Sequence, residues 1–159
     1  MTQTISMRDL IQPQAVVASL EAASKKDVLQ GIAAAASGLA GKDTLATFDV
    51  LWERERLGTT GVGHGIAIPH GRVPGLDKVM GLFARLAQPV AFEAIDDKPV
   101  DLVFLLLAPE SAGADHLQAL ATVSRLLRDP KLCDQLRKAK DAAAIYKLLV
   151  ETSPSVQAA

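Results

Sequence analysis

One segment constrains the fold more than any other. Residues 100–108, VDLVFLLLA, are nearly continuously apolar, and their longest wholly apolar run, residues 102–108, is only seven residues long. A stretch of this length and texture predicts a strand covered on both faces, because a half-exposed strand would alternate apolar and polar residues. It is far short of the ~20 residues needed to span a bilayer. Such a strand needs helices on either side, so the chain is expected to form a layered α/β domain with a sheet between helices.

The flanking sequence supplies those elements. Residues 15–20 (AVVASL) and 79–86 (VMGLFARL) read as further strands. Residues 24–40 read as a helix: Ser24 is placed to cap it, and Val28, Ile32, Ala35, Ala36 and Leu39 share one face. Residues 43–57 form a second helical pattern, with Asp43 or Thr44 as cap. Its last turn is crowded with charge, and Glu53 and Glu55 read there as a solvated face. Residues 115–128, 132–139 and 142–150 are three more helical patterns, the first broken by Asp129-Pro130. Trp52 reads as core and Cys133 as a small packed residue. Residues 1–6 and the tail 152–159 are expected to be loose. The whole, 1–159, is expected to be one domain with its core at about 8–150.

Composition narrows the function. The chain of 159 residues carries 17 Lys plus Arg against 18 Asp plus Glu, a net charge of −1. No basic run or aromatic platform points to nucleic acid. A single Cys allows neither an internal disulfide nor a multi-Cys zinc site, which fits the cytoplasm. No membrane insertion is expected. Three histidines remain as the candidates for chemistry.

Two of them lie in residues 54–72, RERLGTTGVGHGIAIPHGR, within a region (58–75) that holds six of the eleven glycines. The segment has neither the Lys-Ser/Thr of a P-loop nor a G-x-G-x-x-G, so nucleotide binding is disfavoured. Gly58, Gly61, Gly63 and Gly65 leave backbone N–H groups uncrowded, as in an anion-binding nest. Thr59 and Thr60 add hydroxyls, and Arg54 and Arg56 add guanidinium donors suited to phosphate. Arg54 also fits a helix C-terminus, where a cation meets the negative end of the dipole. His70 follows a short apolar stretch (66–68) and Pro69. Gly71 beside it permits another surface to approach closely. A neutral imidazole near anion donors suits phosphoryl transfer, in which charge spreads over three oxygens. No acidic metal site lies nearby, and no cofactor is expected. The pair Asp96-Asp97 and Asp101 read either as acid–base carboxylates or as a turn and a strand start.

This segment strongly resembles the active-site signature of the enzyme IIA domains of the phosphoenolpyruvate-dependent phosphotransferase system, in the fructose/mannitol superfamily. It is most similar to the nitrogen-regulatory branch. Residues 91–109 (AFEAIDDKPVDLVFLLLAP) and 116–127 (HLQALATVSRLL) extend the resemblance. It spans about residues 8–150. The resemblance implies a mixed central β-sheet flanked by helices on both faces. It implies that His70 accepts a phosphoryl group, through Nε2, from the phosphohistidine carrier HPr or its nitrogen-branch counterpart. Arg54 matches the family's active-site arginine and His116 its second active-site histidine. Arg54, Thr60 and the backbone of 61–65, with Gly61 and Gly63, would hold the phosphoryl oxygens. Position 64 departs from the pattern: the family more often has Asn or Asp, and His64 either contacts the phosphate or lines the loop.

A chain ending near 159 leaves no room for a fused membrane or IIB domain, so the expected output is regulatory. The expected targets are partner proteins such as sensor kinases or ion transporters. Two competing readings are a sugar-transport IIA that passes phosphate to a IIB protein, and a zinc hydrolase using His64, His70 and His116 as ligands.

Overall fold

The computed structural model describes residues 6–151. Of the segments expected to be loose, 1–6 and 152–159, all but Ser6 lie outside them. Ser6 is inside and ordered. It caps a short helix, α1 (Met7–Leu10), in a reciprocal capping box with Asp9. A 3₁₀ turn (Pro13–Ala15) leads into β1 (Val16–Leu20). Two helices follow, α2 (Lys25–Ala40) and α3 (Thr44–Leu57), capped by the side chains of Ser24 and Asp43. Three short strands come next: β2 (Gly61–Gly63), β3 (Ile66–Ala67) and β4 (His70–Arg72). The long strands β5 (Met80–Val90) and β6 (Val100–Ala108) precede α4 (Ala114–Leu127), α5 (Pro130–Lys138) and α6 (Ala142–Glu151).

The six strands form one mixed sheet in the order β1-β5-β6-β3-β2, with β4 also paired to β6. β6 lies at its centre. On one side it pairs antiparallel with β5, placing Phe83 opposite Phe104. On the other side it pairs parallel with β3 and then β4, placing Ile66 opposite Leu102 and His70 opposite Leu106. Every β6 residue from Leu102 to Ala108 is buried, odd and even alike. That pattern requires cover on both faces, as the apolar run predicts. Helix α3 packs on β4, α2 on β5, α4 on β6 and α6 on β1.

The boundaries depart from expectation at three places. The apolar stretch 66–68 is cut short because Pro69 has no N–H to give a ladder, so β3 and β4 become separate strands. β5 runs on to Val90, which pairs with Val100 beyond an irregularity after Arg85. Asp129-Pro130 ends α4 and also starts α5: Asp129 accepts the Lys131 N–H and Pro130 takes the first turn.

Candidate functional site

His70 begins β4, beside the central strand. The next residue explains what stands over it. A Cβ on Gly71 would collide with Val50 Cγ1. Helix α3 therefore crosses β4 at a distance only glycine allows. Arg54 lies one helical turn beyond Val50, on the same face, and so arrives above His70. Its Nε–H donates to His70 Nε2 at 3.3 Å, and its Nη1 donates to the Gly58 carbonyl at 2.8 Å. The other ring nitrogen of His70, Nδ1, lies 2.9 Å from the Ile68 carbonyl. A carbonyl only accepts, and Nε2 faces a donor. The hydrogen-bond network thus assigns the proton to Nδ1 and the lone pair to Nε2.

His70 is half-buried. Burial holds its pKa below the ordinary histidine value, and the Arg54 charge acts in the same direction. The Ile68 bond and Glu55 oppose them. Burial thus favours the neutral ring, whose Nε2 lone pair accepts the Arg54 N–H.

His116 comes from the first turn of α4. Its ring centroid is 5.6 Å from that of His70, with the planes tilted by 54°. It is only 8% exposed, and its Nδ1 has no hydrogen-bond partner among the described residues. Burial, followed by His70 and Arg72, lowers its pKa as well. Arg54, His70 and His116 therefore converge, although 62 positions of chain separate the outer two.

The glycine segment is built differently from the expected open nest. Residues 61–67 form a β-hairpin whose two turn residues, His64 and Gly65, both have positive φ (58° and 82°). Tight two-residue hairpins need this geometry. Asn and Asp tolerate it best among non-glycine residues, which gives a conformational reason for those types at position 64. The His64 side chain is exposed and lines a cavity with Ile68, Cys133 and Arg137. Its own N–H donates to Asp96, and its carbonyl accepts from Arg137. Gly61 N–H is taken by Thr59 Oγ1. A Cβ on Gly61 would lie 2.8 Å from Ala94 Cβ, and one on Gly63 would lie 3.3 Å from an Asp96 oxygen. These glycines let the hairpin pack against residues 94–96. Among the described residues no three His, Cys, Asp or Glu side chains are grouped to hold a metal ion, so the three histidines do not form one ligand set.

Thr60 and Glu55 are the main correction. Thr60 is buried, and both its N–H and its hydroxyl donate to the Glu55 carboxylate, the hydroxyl at 2.6 Å. Neither group is free for a phosphoryl oxygen. Glu55 is 7% exposed and pairs with Lys25 Nζ at 2.9 Å, so it is no part of a solvated face. Glu53 is exposed and pairs with Arg56. Sequence periodicity could not separate the two glutamates, since both lie among charges at a helix end.

The remaining candidates have structural roles. Asp96 accepts the His64 and Lys98 N–H groups, which lower its pKa. Asp101 accepts two bonds from Arg137. Cys133 is buried and its thiol donates to the Leu127 carbonyl; burial pushes its pKa up. Trp52 is partly buried and stacks on Phe48.

The mixed sheet flanked by helices is the architecture of a phosphotransferase-system IIA domain. The family described as "Phosphoenolpyruvate-dependent sugar phosphotransferase system, EIIA 2" matches residues 9–152, and the chain belongs to it. It is 57% identical over 141 residues to a "Nitrogen regulatory protein" of Bradyrhizobium diazoefficiens, covering 89% of this chain and 92% of the relative. A "PTS system fructose-specific EIIA component" of Haloferax volcanii is 41% identical over 109 residues, covering 69% of this chain and 71% of the relative. Among solved structures, "Nitrogen Regulatory Protein IIA-Ntr from Neisseria meningitidis" superposes with a TM-score of 0.83 at 33% identity, covering 89% of this chain and 97% of that one. Among the described residues no helix is long and apolar enough to cross a membrane.

Proposed function

We propose that this protein is the phosphohistidine-carrying regulator of a nitrogen-related phosphotransferase branch, acting in the cytoplasm as one domain. His70 takes a phosphoryl group from the phosphohistidine of an HPr-like carrier. The observation that carries this reading is the state of the His70 ring. Nδ1–H is anchored on the Ile68 carbonyl, and Nε2 keeps a lone pair beside Arg54.

In the transfer step the Nε2 lone pair attacks phosphorus and forms the new N–P bond. The N–P bond of the donor breaks, and its electron pair returns to the donor imidazole. His70 keeps its proton on Nδ1 throughout. The Arg54 guanidinium then turns from the ring nitrogen to the phosphoryl oxygens, whose charge it complements. His116, at 5.6 Å, is near enough for its ring to offer a further hydrogen bond to the group. The Thr60 N–H and hydroxyl and the Gly61 and His64 N–H groups already donate within the protein, and with Gly63 these residues shape the hairpin that precedes His70.

The similarity to proteins named nitrogen regulatory protein supports a regulatory output. The phosphorylated and free forms would then bind targets such as sensor kinases or ion transporters differently. The similarity to a fructose-specific EIIA component favours a second reading, transfer onward to a sugar IIB protein.

One incubation tests the main reading: this protein with phosphoenolpyruvate, enzyme I and the carrier. The expected product is an acid-labile, base-stable phosphoprotein that His70→Ala does not form. Uptake by His70→Ala, or none by the wild type, defeats it. Rapid His70-dependent transfer to a sugar IIB protein establishes the second reading instead.

A further inference from the structure

We propose that Glu55, held in place by Lys25, is a positioning residue for phosphoryl transfer: it clamps the turn that orients both ring nitrogens of His70. This rests on the reading of His70 as the acceptor.

Glu55 is an unusual residue for its place. It lies two positions from the end of α3, where the helix dipole disfavours a carboxylate, and it is buried. A neutral side chain would fill the space at less electrostatic cost. The carboxylate is nevertheless well satisfied. It accepts the Thr60 N–H at both oxygens (3.2 and 3.1 Å), the Thr60 hydroxyl at 2.6 Å and the Lys25 ammonium at 2.9 Å. Lys25 also reaches Glu93 and lies over the Phe92 ring, so the ion pair is itself anchored.

Two routes lead from this clamp to His70. Along one, the Thr60 carbonyl accepts the Ile68 N–H at 3.0 Å, and the Ile68 carbonyl accepts from His70 Nδ1 at 2.9 Å. Along the other, the turn that Glu55 ties down contains Gly58, whose carbonyl accepts from Arg54 Nη1, and Arg54 Nε donates to His70 Nε2. Gly58 has no side chain to brace that turn. A single carboxylate therefore decides where the partner of Nδ1 and the partner of Nε2 stand. Releasing it frees the ring to exchange tautomers, and the Nε2–H tautomer has no lone pair with which to attack.

The test is Glu55→Gln, which keeps the shape but removes the charge and one acceptor. Two quantities are read: single-turnover phosphoryl transfer from the HPr-like carrier, and the His70 tautomer by nitrogen NMR of the unphosphorylated protein. We expect the rate at saturating carrier to fall about tenfold to a hundredfold, the cost of a mispositioned reacting group, with the carrier's half-saturation unchanged. We expect the Nε2–H tautomer to appear at His70. A core variant away from the site, Leu149→Ala, supplies the comparison at equal thermal destabilisation. An unchanged rate and tautomer in Glu55→Gln overturn the proposal, as does an equal loss in Leu149→Ala. If Glu55→Gln does not fold, Lys25→Met loosens the same clamp and is expected to shift both quantities the same way. The tautomer is read without phosphorylation, so failure of the wild type to accept phosphate would sink the function and leave the role of Glu55 decided by NMR.

Discussion

Arg54 Nε stands 3.3 Å from His70 Nε2 and donates a hydrogen bond to the one ring nitrogen that keeps a lone pair. A proton on that nitrogen would set two cations face to face, so the arginine helps keep the ring neutral. The same guanidinium is positioned to meet negative charge arriving at Nε2. One contact thus serves the resting state and the incoming group in turn.

Removing that guanidinium should slow transfer without removing the acceptor. Arg54→Ala is expected to lower the single-turnover rate to His70 by about 10²–10³-fold, typical of losing one preorganised charge donor. Arg54→Lys should recover part of the loss, since it keeps the charge but not the planar fork. Rapid-quench transfer assays would measure both. A wild-type rate in Arg54→Ala would remove the residue from the site.

Gly71 and Val50 should be energetically coupled. Gly71→Ala forces α3 away from β4, at a cost of about 1–3 kcal/mol by overpacking. Combined with Val50→Ala, which clears the space, the two changes should cost less than their sum by about 0.5–3 kcal/mol in urea unfolding. Strict additivity would mean that the close approach of helix and strand is not what requires glycine.

Position 64 offers a clean separation of turn and site. His64→Asn is expected to leave stability within ~0.5 kcal/mol, because Asn tolerates a left-handed backbone. His64→Val should lose about 1–2 kcal/mol, because a β-branched residue does not. Neither should alter the transfer rate by more than about twofold. A slow but fully stable His64→Asn would instead place this ring on the phosphate.

Acid should destabilise the fold through His70 and His116. Both have folded-state pKa values below the ordinary 6.5, with burial the first cause in each. The unfolded chain therefore takes up protons first as pH falls. The stabilisation held by the two neutral rings is complete above about 6.5 and is lost as pH drops from there toward the folded values. Unfolding free energy measured from pH 7.5 to 5 should decline over that window. The decline should be shallower when both histidines are replaced by Gln. An equally steep curve in that double variant would show that other groups carry it.

Several features of the fold follow directly from local sequence. The central strand was legible because an unbroken apolar run is stable only between two covered faces. The start of α2 is legible in Ser24 and that of α3 in the pair Asp43-Thr44, of which the structure makes Asp43 the cap, since capping depends on residues three apart. The short helix α1 and the hairpin at 61–67 were not. Four residues are too few for a helical period, and the hairpin's register depends on what residues 94–96 pack against.

The candidate site divides along the same line. Residue types and spacing in 54–72 offer Arg54, Arg56 and His70 together, and the resemblance to the family selects Arg54 and His70 among them, because a motif is local. Their convergence with His116 required parallel pairing of β4 with β6 and the placement of α4 on the sheet. Glu55 shows the limit most plainly. Beside Glu53 in sequence it reads as one more surface charge, yet the fold buries it against Thr60 and Lys25. Local pattern reports which groups are available. Burial and long-range hydrogen bonding decide which of them touch the chemistry, and those depend on contacts between segments far apart in the chain.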